Sequence, residues 1–118
     1  MAATVLIVDD NPGFRHAARE LLATAGLTVV AEAADGAAAL AAVERLHPDA
    51  VLLDVHLPDT DGFALARRLR DGGRRPRVLL TSSDASIQPS GDPEDYGAVG
   101  FVPKTELVRA DLGRYLGA

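Results

Sequence analysis

The sequence predicts an α/β domain built on a parallel β-sheet, and two observations support this fold class. Short apolar runs of strand type recur along the chain, and each is followed by a segment whose apolar residues return at helical spacing. One run, Val51 to Leu53, is continuously apolar, which is typical of a central strand covered on both faces. Strands that alternate with helices from end to end indicate a parallel sheet with right-handed crossovers.

The composition indicates a small domain without covalent cross-links. The chain has 118 residues, which suits one domain over residues 1–118 with a sizeable core, and it contains no cysteine for a disulfide or a thiolate metal site. The formal net charge of −5 argues against direct nucleic-acid binding. No secretory signal pattern and no run of membrane-spanning length is present, so we expect a cytoplasmic domain without direct membrane contact.

The first half of the chain is predicted to contain three strands and two helices. Asn11 is a preferred N-cap and Pro12 suits the first helical position, while Gly26 is expected to stop that helix. The second helix is expected to end at His47-Pro48, because the residue before a proline disfavours helical backbone. The predicted elements are strands at residues 4–8, 28–33 and 50–54, and helices at about 12–25 and 36–46.

The second half is less regular. A helix at about residues 62–70 and a strand at residues 77–81 are expected, but residues 84–98 contain Pro89, Pro93 and two glycines, which do not fit a three-turn helix. We therefore expect a loop there with at most one or two short turns. A fifth strand at residues 99–103 leads to a last helix that opens at Lys104. The predicted buried side of that helix comprises Leu107, Val108, Leu112 and Leu116.

Polar residues follow the predicted strands at their carboxyl ends. They are Asp9 and Asp10 after the first strand, Asp54 at the end of the third, Thr81 and Ser82 at the end of the fourth, and Lys104 after the fifth. Open α/β sheets place their ligand sites at this edge. Three carboxylates at one point repel each other, and the arrangement becomes reasonable if a hard divalent cation lies among them. Oxygen ligands favour Mg²⁺.

Such a Mg²⁺ site also indicates a phosphoryl ligand. Mg²⁺ usually keeps several waters and takes one or two carboxylates plus a phosphate oxygen. Thr81 would then supply a hydroxyl donor and Lys104 a cation for the phosphoryl oxygens. Taken singly, each residue has a structural alternative: Asp9 and Asp10 favour a helix start, Asp54 suits a turn after a strand, Thr81 favours a strand, and Lys104 suits a solvated surface.

Four motifs in order resemble the receiver domain of two-component response regulators. They are Val8-Asp9-Asp10, Leu53-Asp54 with Pro58 four residues on, Thr81-Ser82, and Phe101-Val102-Pro103-Lys104. The likeness covers essentially the whole chain. It implies a flavodoxin-like, doubly wound, five-stranded sheet of order 2-1-3-4-5 with helices on both faces, the fourth helix being short or irregular here.

The resemblance also implies a metal and phosphoacceptor site. Asp54 would be the nucleophile that accepts a phosphoryl group from a bacterial sensor histidine kinase or phosphotransfer protein. Asp10 would ligate Mg²⁺ directly and Asp9 through a bound water. Asp54 and the backbone carbonyl of His56 would complete the protein ligands.

The remaining motif residues are implied to read out the phosphoryl group. Lys104 would pair with it, the Thr81 hydroxyl would swing to donate to it, and the Ser82 backbone N–H would assist. Phe101 stands where relatives have an aromatic ring that turns inward on activation. Relatives form a regular fourth helix in the segment that is irregular here, so a homodimer of the family type stays an open expectation.

We expect a signalling domain that catalyses its own aspartyl phosphorylation and dephosphorylation and controls an output domain or protein, rather than an enzyme for other substrates. One alternative is a pseudo-receiver that binds partners independently of phosphorylation. Another is a small Mg²⁺-dependent phosphohydrolase. The phosphohydrolase is disfavoured because His56, and not an acid, lies two residues after Asp54.

Overall fold

A five-stranded parallel sheet forms the centre of the protein, whose computed structural model describes residues 2–73, 75–84 and 92–117. The strands are β1 (Thr4–Val8), β2 (Thr28–Ala33), β3 (Ala50–Asp54), β4 (Arg77–Ser82) and β5 (Gly100–Pro103). Their order is β2-β1-β3-β4-β5, and every neighbouring pair is parallel. The predicted fold class and strand order are confirmed.

Side-chain caps fix the start of the first three helices. The helices are α1 (Pro12–Thr24), α2 (Gly36–Leu46) and α3 (Gly62–Asp71). Asn11, Asp35 and Asp61 each precede one of them and accept a hydrogen bond from the amide three residues on. Gly26, with φ of 84°, takes the left-handed backbone that follows α1, as its predicted role in stopping that helix requires. Among the described helices, none has the length and apolar character needed to cross a bilayer.

Two hydrophobic cores cover the two faces of the sheet. Successive residues of a strand point to opposite faces, so β3 contributes Val51 and Leu53 to one core and Leu52 to the other. The first core is completed mainly by α2 and α3, the second by α1 and the C-terminal segment. All five residues of β3 are buried, and each leucine buried in this way contributes roughly 1.5–3 kcal/mol to folding.

The C-terminal segment differs from the single helix predicted to open at Lys104. A 3₁₀-helix at Lys104–Arg109 is followed by the extended residue Ala110 and then by the short helix α4 (Leu112–Leu116). Val108 is 69% exposed, so its predicted place on the buried side is wrong. The physical reason is the three-residue period of the 3₁₀-helix, which turns Leu107 inward and its neighbour outward. Leu107, Leu112 and Leu116 are buried as predicted.

The predicted irregular segment between β4 and β5 lies partly outside the described residues, because residues 85–91 belong to the undescribed part of the chain. Its described end contains one short 3₁₀ turn, Pro93–Tyr96, which agrees with the expectation of short turns. Tyr96 is buried: its ring centroid lies 4.9 Å from that of Phe63, and the Arg67 guanidinium stacks over it at 4.7 Å.

Candidate functional site

Three acids meet at the carboxyl edge of the sheet. Val8 of β1 pairs with Leu53 of β3, so the acids that follow each of them are neighbours. One carboxylate oxygen from each of Asp9, Asp10 and Asp54 lies within 4.8 Å of the others. Asp9 is fully buried and Asp54 is 5% exposed, whereas Asp10 faces solvent. The cluster therefore has a buried floor and one exposed member.

Lys104, the only lysine of the chain, reaches the two buried acids from the end of β5. Its Nζ lies 2.6 Å from Asp9 Oδ2 and 3.5 Å from Asp54 Oδ2, and its side chain is 15% exposed. Asp9 Oδ2 forms no hydrogen bond with the described residues, so its contact with Lys104 Nζ is an ion pair held by charge attraction. One ammonium thus neutralises only part of the charge of two buried carboxylates, so the buried part of the cluster keeps an excess of negative charge when both acids are ionised.

The surroundings of Asp54 raise its pKa above the ordinary carboxyl value. Burial is the main cause, and the Asp9 carboxylate adds to it. The His56 amide, which donates to Asp54 Oδ1 at 3.2 Å, and the Lys104 ammonium both act in the opposite direction but do not cancel the rise in pKa. A second cation in the cluster would favour the ionised carboxylate.

Thr81 and Ser82 lie beside these acids at the end of β4. Thr81 pairs in register with Asp54, and its buried hydroxyl has no hydrogen-bond partner among the described residues. An unpaired buried hydroxyl costs about 1–3 kcal/mol, and this one is a donor that an additional acceptor could use. Ser82 is also buried, but its hydroxyl accepts a hydrogen bond from the Asp84 amide at 3.0 Å, so it is already engaged with the following loop.

His56 and Phe101 lie at the margins of the cluster. His56 is exposed, and its backbone forms an isolated bridge with Asp61, which holds the loop after β3 against the start of α3. The half-buried Phe101 packs on the first core and lines a surface groove of about 810 Å³ along β5. None of the three acids lines that groove, so it is separate from the acidic cluster.

Phe14 is a site residue that the sequence analysis missed. Helical spacing marks Phe14 only as an apolar position of α1, but its ring centroid lies 4.0 Å from Lys104 Nζ. The available signal was position: Phe14 lies in the first turn of α1, whose N-cap Asn11 directly follows Asp10, and hence at the edge of the sheet that carries the acids. The spacing of apolar residues along α1 does not show that the lysine that follows β5 contacts the Phe14 ring.

Comparison with known proteins identifies one family. The sequence-family model of the response regulator receiver domain matches residues 5–112 of this chain. The protein-glutamate methylesterase/protein-glutamine glutaminase 3 of Hahella chejuensis is 38% identical over 79 residues, which are 67% of this chain and 23% of that protein. The chain covers 49% and 32% of two further curated relatives, so it spans about half or less of the length of the relatives it matches.

Solved structures agree with the family match. The signal receiver domain of NarL from Mycobacterium tuberculosis has a TM-score of 0.77 at 34% identity, with 97% of this chain and 96% of that chain covered. The chemotaxis protein CheY4 of Vibrio cholerae has a TM-score of 0.82 at 29% identity, with 98% and 100% covered. Because the family model covers nearly the whole chain and the sheet has the same order, the chain belongs to the receiver domains of two-component response regulators.

Proposed function

We propose that this chain is a phosphoacceptor signalling domain in which Asp54 receives a phosphoryl group in a Mg²⁺-dependent reaction. The observation that supports it best is the grouping at one sheet edge of a buried carboxylate, an ammonium and a buried hydroxyl without a partner among the described residues. These are a nucleophile, a counter-charge and an unused donor. The proposed donors are a sensor histidine kinase or a phosphotransfer protein.

The donor set fits Mg²⁺. Three carboxylate oxygens lie within 4.8 Å of one another, and Asp9 Oδ2, which makes no hydrogen bond among the described residues, has the Lys104 ammonium as a charge partner at 2.6 Å. Asp10 faces solvent, which suits an ion that keeps several waters. Asp10, Asp54 and the His56 carbonyl would ligate directly, and Asp9 through a water. When bound, the ion would neutralise charge on the phosphoryl oxygens.

Each residue has a defined part in the proposed transfer. A carboxylate oxygen of Asp54 forms a bond to phosphorus while the bond from phosphorus to the donor's imidazole nitrogen breaks, and that nitrogen keeps the electron pair. Lys104, whose Nζ is 3.5 Å from Asp54 Oδ2, pairs with the transferred group. The Thr81 hydroxyl and the Ser82 backbone N–H donate to its oxygens.

The same residues provide a route to a readout. The phosphoryl group carries a charge of about −1.5 to −2 at neutral pH in place of the single charge of the Asp54 carboxylate, and Thr81 reorients to donate to it. Thr81 is adjacent in β4 to Leu80, which pairs with Phe101 of β5, so the change reaches the aromatic ring at the groove through one strand pair. We propose that this shifts a two-state equilibrium that an output domain or partner protein reads.

Labelling with a small phosphodonor tests the proposal. With acetyl phosphate and Mg²⁺, intact mass should increase by one phosphoryl group in the wild type and in Asp71→Asn, an exposed acid at the end of α3. Asp54→Asn, which removes the nucleophile with little change in volume, should take up none. Equal labelling of Asp54→Asn, or none of the wild type, would contradict the proposal. An unlabelled wild type that also binds no Mg²⁺ would indicate a phosphorylation-independent interaction module.

A further inference from the structure

We propose that Phe14 is a positioning residue for Lys104, and that the face of its ring holds the ammonium over the acidic cluster. The inference rests on the proposed function, because it concerns the lysine of that same site. It is carried by contacts that exist before any phosphoryl group or metal ion enters.

The Lys104 ammonium contacts both the Phe14 ring and two carboxylates. Nζ is 4.0 Å from the ring centroid, 2.6 Å from Asp9 Oδ2 and 3.5 Å from Asp54 Oδ2. A cation is attracted to a ring face within about 6 Å of its centroid, and the attraction grows as water is removed. The lysine side chain is only 15% exposed, so this contact is largely desolvated.

The position of the Phe14 ring is set by the acidic cluster itself. The Asn11 amide donates to Asp9 Oδ1 at 2.8 Å, and the Asn11 side chain accepts from the Phe14 amide at 3.1 Å. Pro12 fixes the backbone between them at the first helical position. Asp9 therefore uses one oxygen to locate the helix that carries the ring and the other to attract the lysine.

A ring face is well suited to this task. A lysine side chain has several rotatable bonds and loses much rotamer freedom when it is fixed in one place. A second cation in the cluster would repel the ammonium, whereas the neutral ring would keep its attraction. The ring also offers no oxygen lone pair, so the three N–H donors of Lys104 stay available to the carboxylates and to a phosphoryl group.

A simpler explanation is that Phe14 only fills space, since it also packs on the second core. Phe14→Leu separates the two explanations because leucine keeps apolar bulk and removes the ring face. Phe14→Tyr restores the ring face. Phe63→Leu is a matched control, because Phe63 is also half-buried in the first turn of a helix but packs against Tyr96.

The contact is measured directly by NMR on the metal-free protein, with lysine labelled selectively. Since Lys104 is the only lysine, one set of side-chain signals appears. We expect the ε-methylene protons to be shifted upfield by the ring current in the wild type, in Phe14→Tyr and in Phe63→Leu. The upfield shift should disappear in Phe14→Leu. A folded Phe14→Leu protein that keeps the wild-type shift would overturn the proposal.

The functional effect is measured as the rate of labelling by acetyl phosphate at saturating Mg²⁺. Loss of the ring face in Phe14→Leu should slow the reaction about 3- to 10-fold, the range expected for one cation–π contact. Phe14→Tyr and Phe63→Leu should stay within about twofold of the wild type. An unchanged rate in Phe14→Leu, or no rescue by Phe14→Tyr, would count against the positioning role.

The contact between Phe14 and Lys104 can also be tested when Phe14→Leu does not fold or when the wild type is not phosphorylated. If Phe14→Leu does not fold, a trifluorinated phenylalanine at position 14 keeps the shape of the ring and weakens its negative face, and it should slow labelling about 2- to 5-fold. An unchanged rate with this residue would overturn the proposal. If the wild type accepts no phosphoryl group, the proposed function fails, whereas the NMR experiment still tests the contact between Phe14 and Lys104.

Discussion

Thr4 and Asp49 hydrogen-bond each other reciprocally at the amino ends of β1 and β3. The Thr4 amide donates to Asp49 Oδ2 at 2.8 Å and its hydroxyl to the same oxygen at 3.1 Å, while the Asp49 amide donates to the Thr4 hydroxyl oxygen at 3.0 Å. The two residues precede the first register pair of these strands, Val5 with Ala50. These hydrogen bonds between Thr4 and Asp49 therefore help to set the register that brings Asp9 beside Asp54 at the opposite edge of the sheet.

Asp49→Asn is expected to lower the urea midpoint of unfolding in a pH-dependent manner. The hydrogen bonds from Thr4 hold the pKa of Asp49 below its ordinary value of 3.8, so the carboxylate form stabilises the folded state. This contribution is present above the ordinary pKa and is lost as the pH falls through the lowered folded pKa. The wild type and the variant should therefore differ at neutral pH and converge in acid. A difference that persists unchanged in acid would contradict this account.

Thr81→Val is expected to raise the free energy of unfolding of the metal-free protein by about 0.5–2 kcal/mol. The buried hydroxyl has no partner among the described residues, and valine replaces it with a methyl group of similar size. Thr81→Ala, which also removes the methyl group, should lower stability by creating a small cavity. Urea denaturation of both variants provides the measurement. Destabilisation by Thr81→Val would show that the hydroxyl makes a stabilising interaction in the free protein.

Lys104→Met is expected to destabilise the metal-free protein by about 3 kcal/mol, because it leaves two buried carboxylates without their counter-charge. Asp54→Asn combined with Lys104→Met should recover part of that loss. Mg²⁺ should also recover part of it, since an ion bound only to the folded state adds about 2.7 kcal/mol at a hundredfold excess over its Kd. Thermal unfolding with EDTA and with Mg²⁺ gives both values. Equal stability of the variant and the wild type in EDTA would contradict the proposed charge balance.

His47→Gly is expected to stabilise the protein by about 0.5–1 kcal/mol. His47 caps the end of α2 with φ of 48°, a left-handed backbone in which a side chain is strained and glycine is not. Arg45→Gly, two residues earlier within the last turn, is the matched control and should destabilise by about 1 kcal/mol. Chemical denaturation distinguishes them by opposite signs. A loss of stability in both variants would indicate that the His47 side chain itself contributes to packing.

The elements that the sequence predicted well are those with local causes. The side-chain cap Asn11 and the unbroken apolar run of β3 depend on residues close to them in sequence, and the approximate bounds predicted for α2 agree with the observed ones. The edge at which the acids meet follows from strand direction alone. Local patterns therefore predicted the fold and the positions of most candidate site residues.

The parts that were missed depend on tertiary packing. Leu107 and Val108 fit an α-helical face equally well, and only the 3₁₀ geometry after β5 decides which of them is buried. The contact of Phe14 with Lys104 joins residues that are far apart in sequence, and so do the hydrogen bonds between Thr4 and Asp49. Such pairs become visible only when the strands have been placed.

The burial of a single lysine also gives a proteolytic reporter of the site. A protease specific for lysine has one target in this chain, the peptide bond after Lys104, directly behind β5. To be cut there, the chain must detach this lysine from the cluster and unwind the short 3₁₀-helix that begins with it. The rate at which two fragments appear would therefore report how often the acidic cluster opens, and a ligand that stabilises the closed cluster would slow the cleavage.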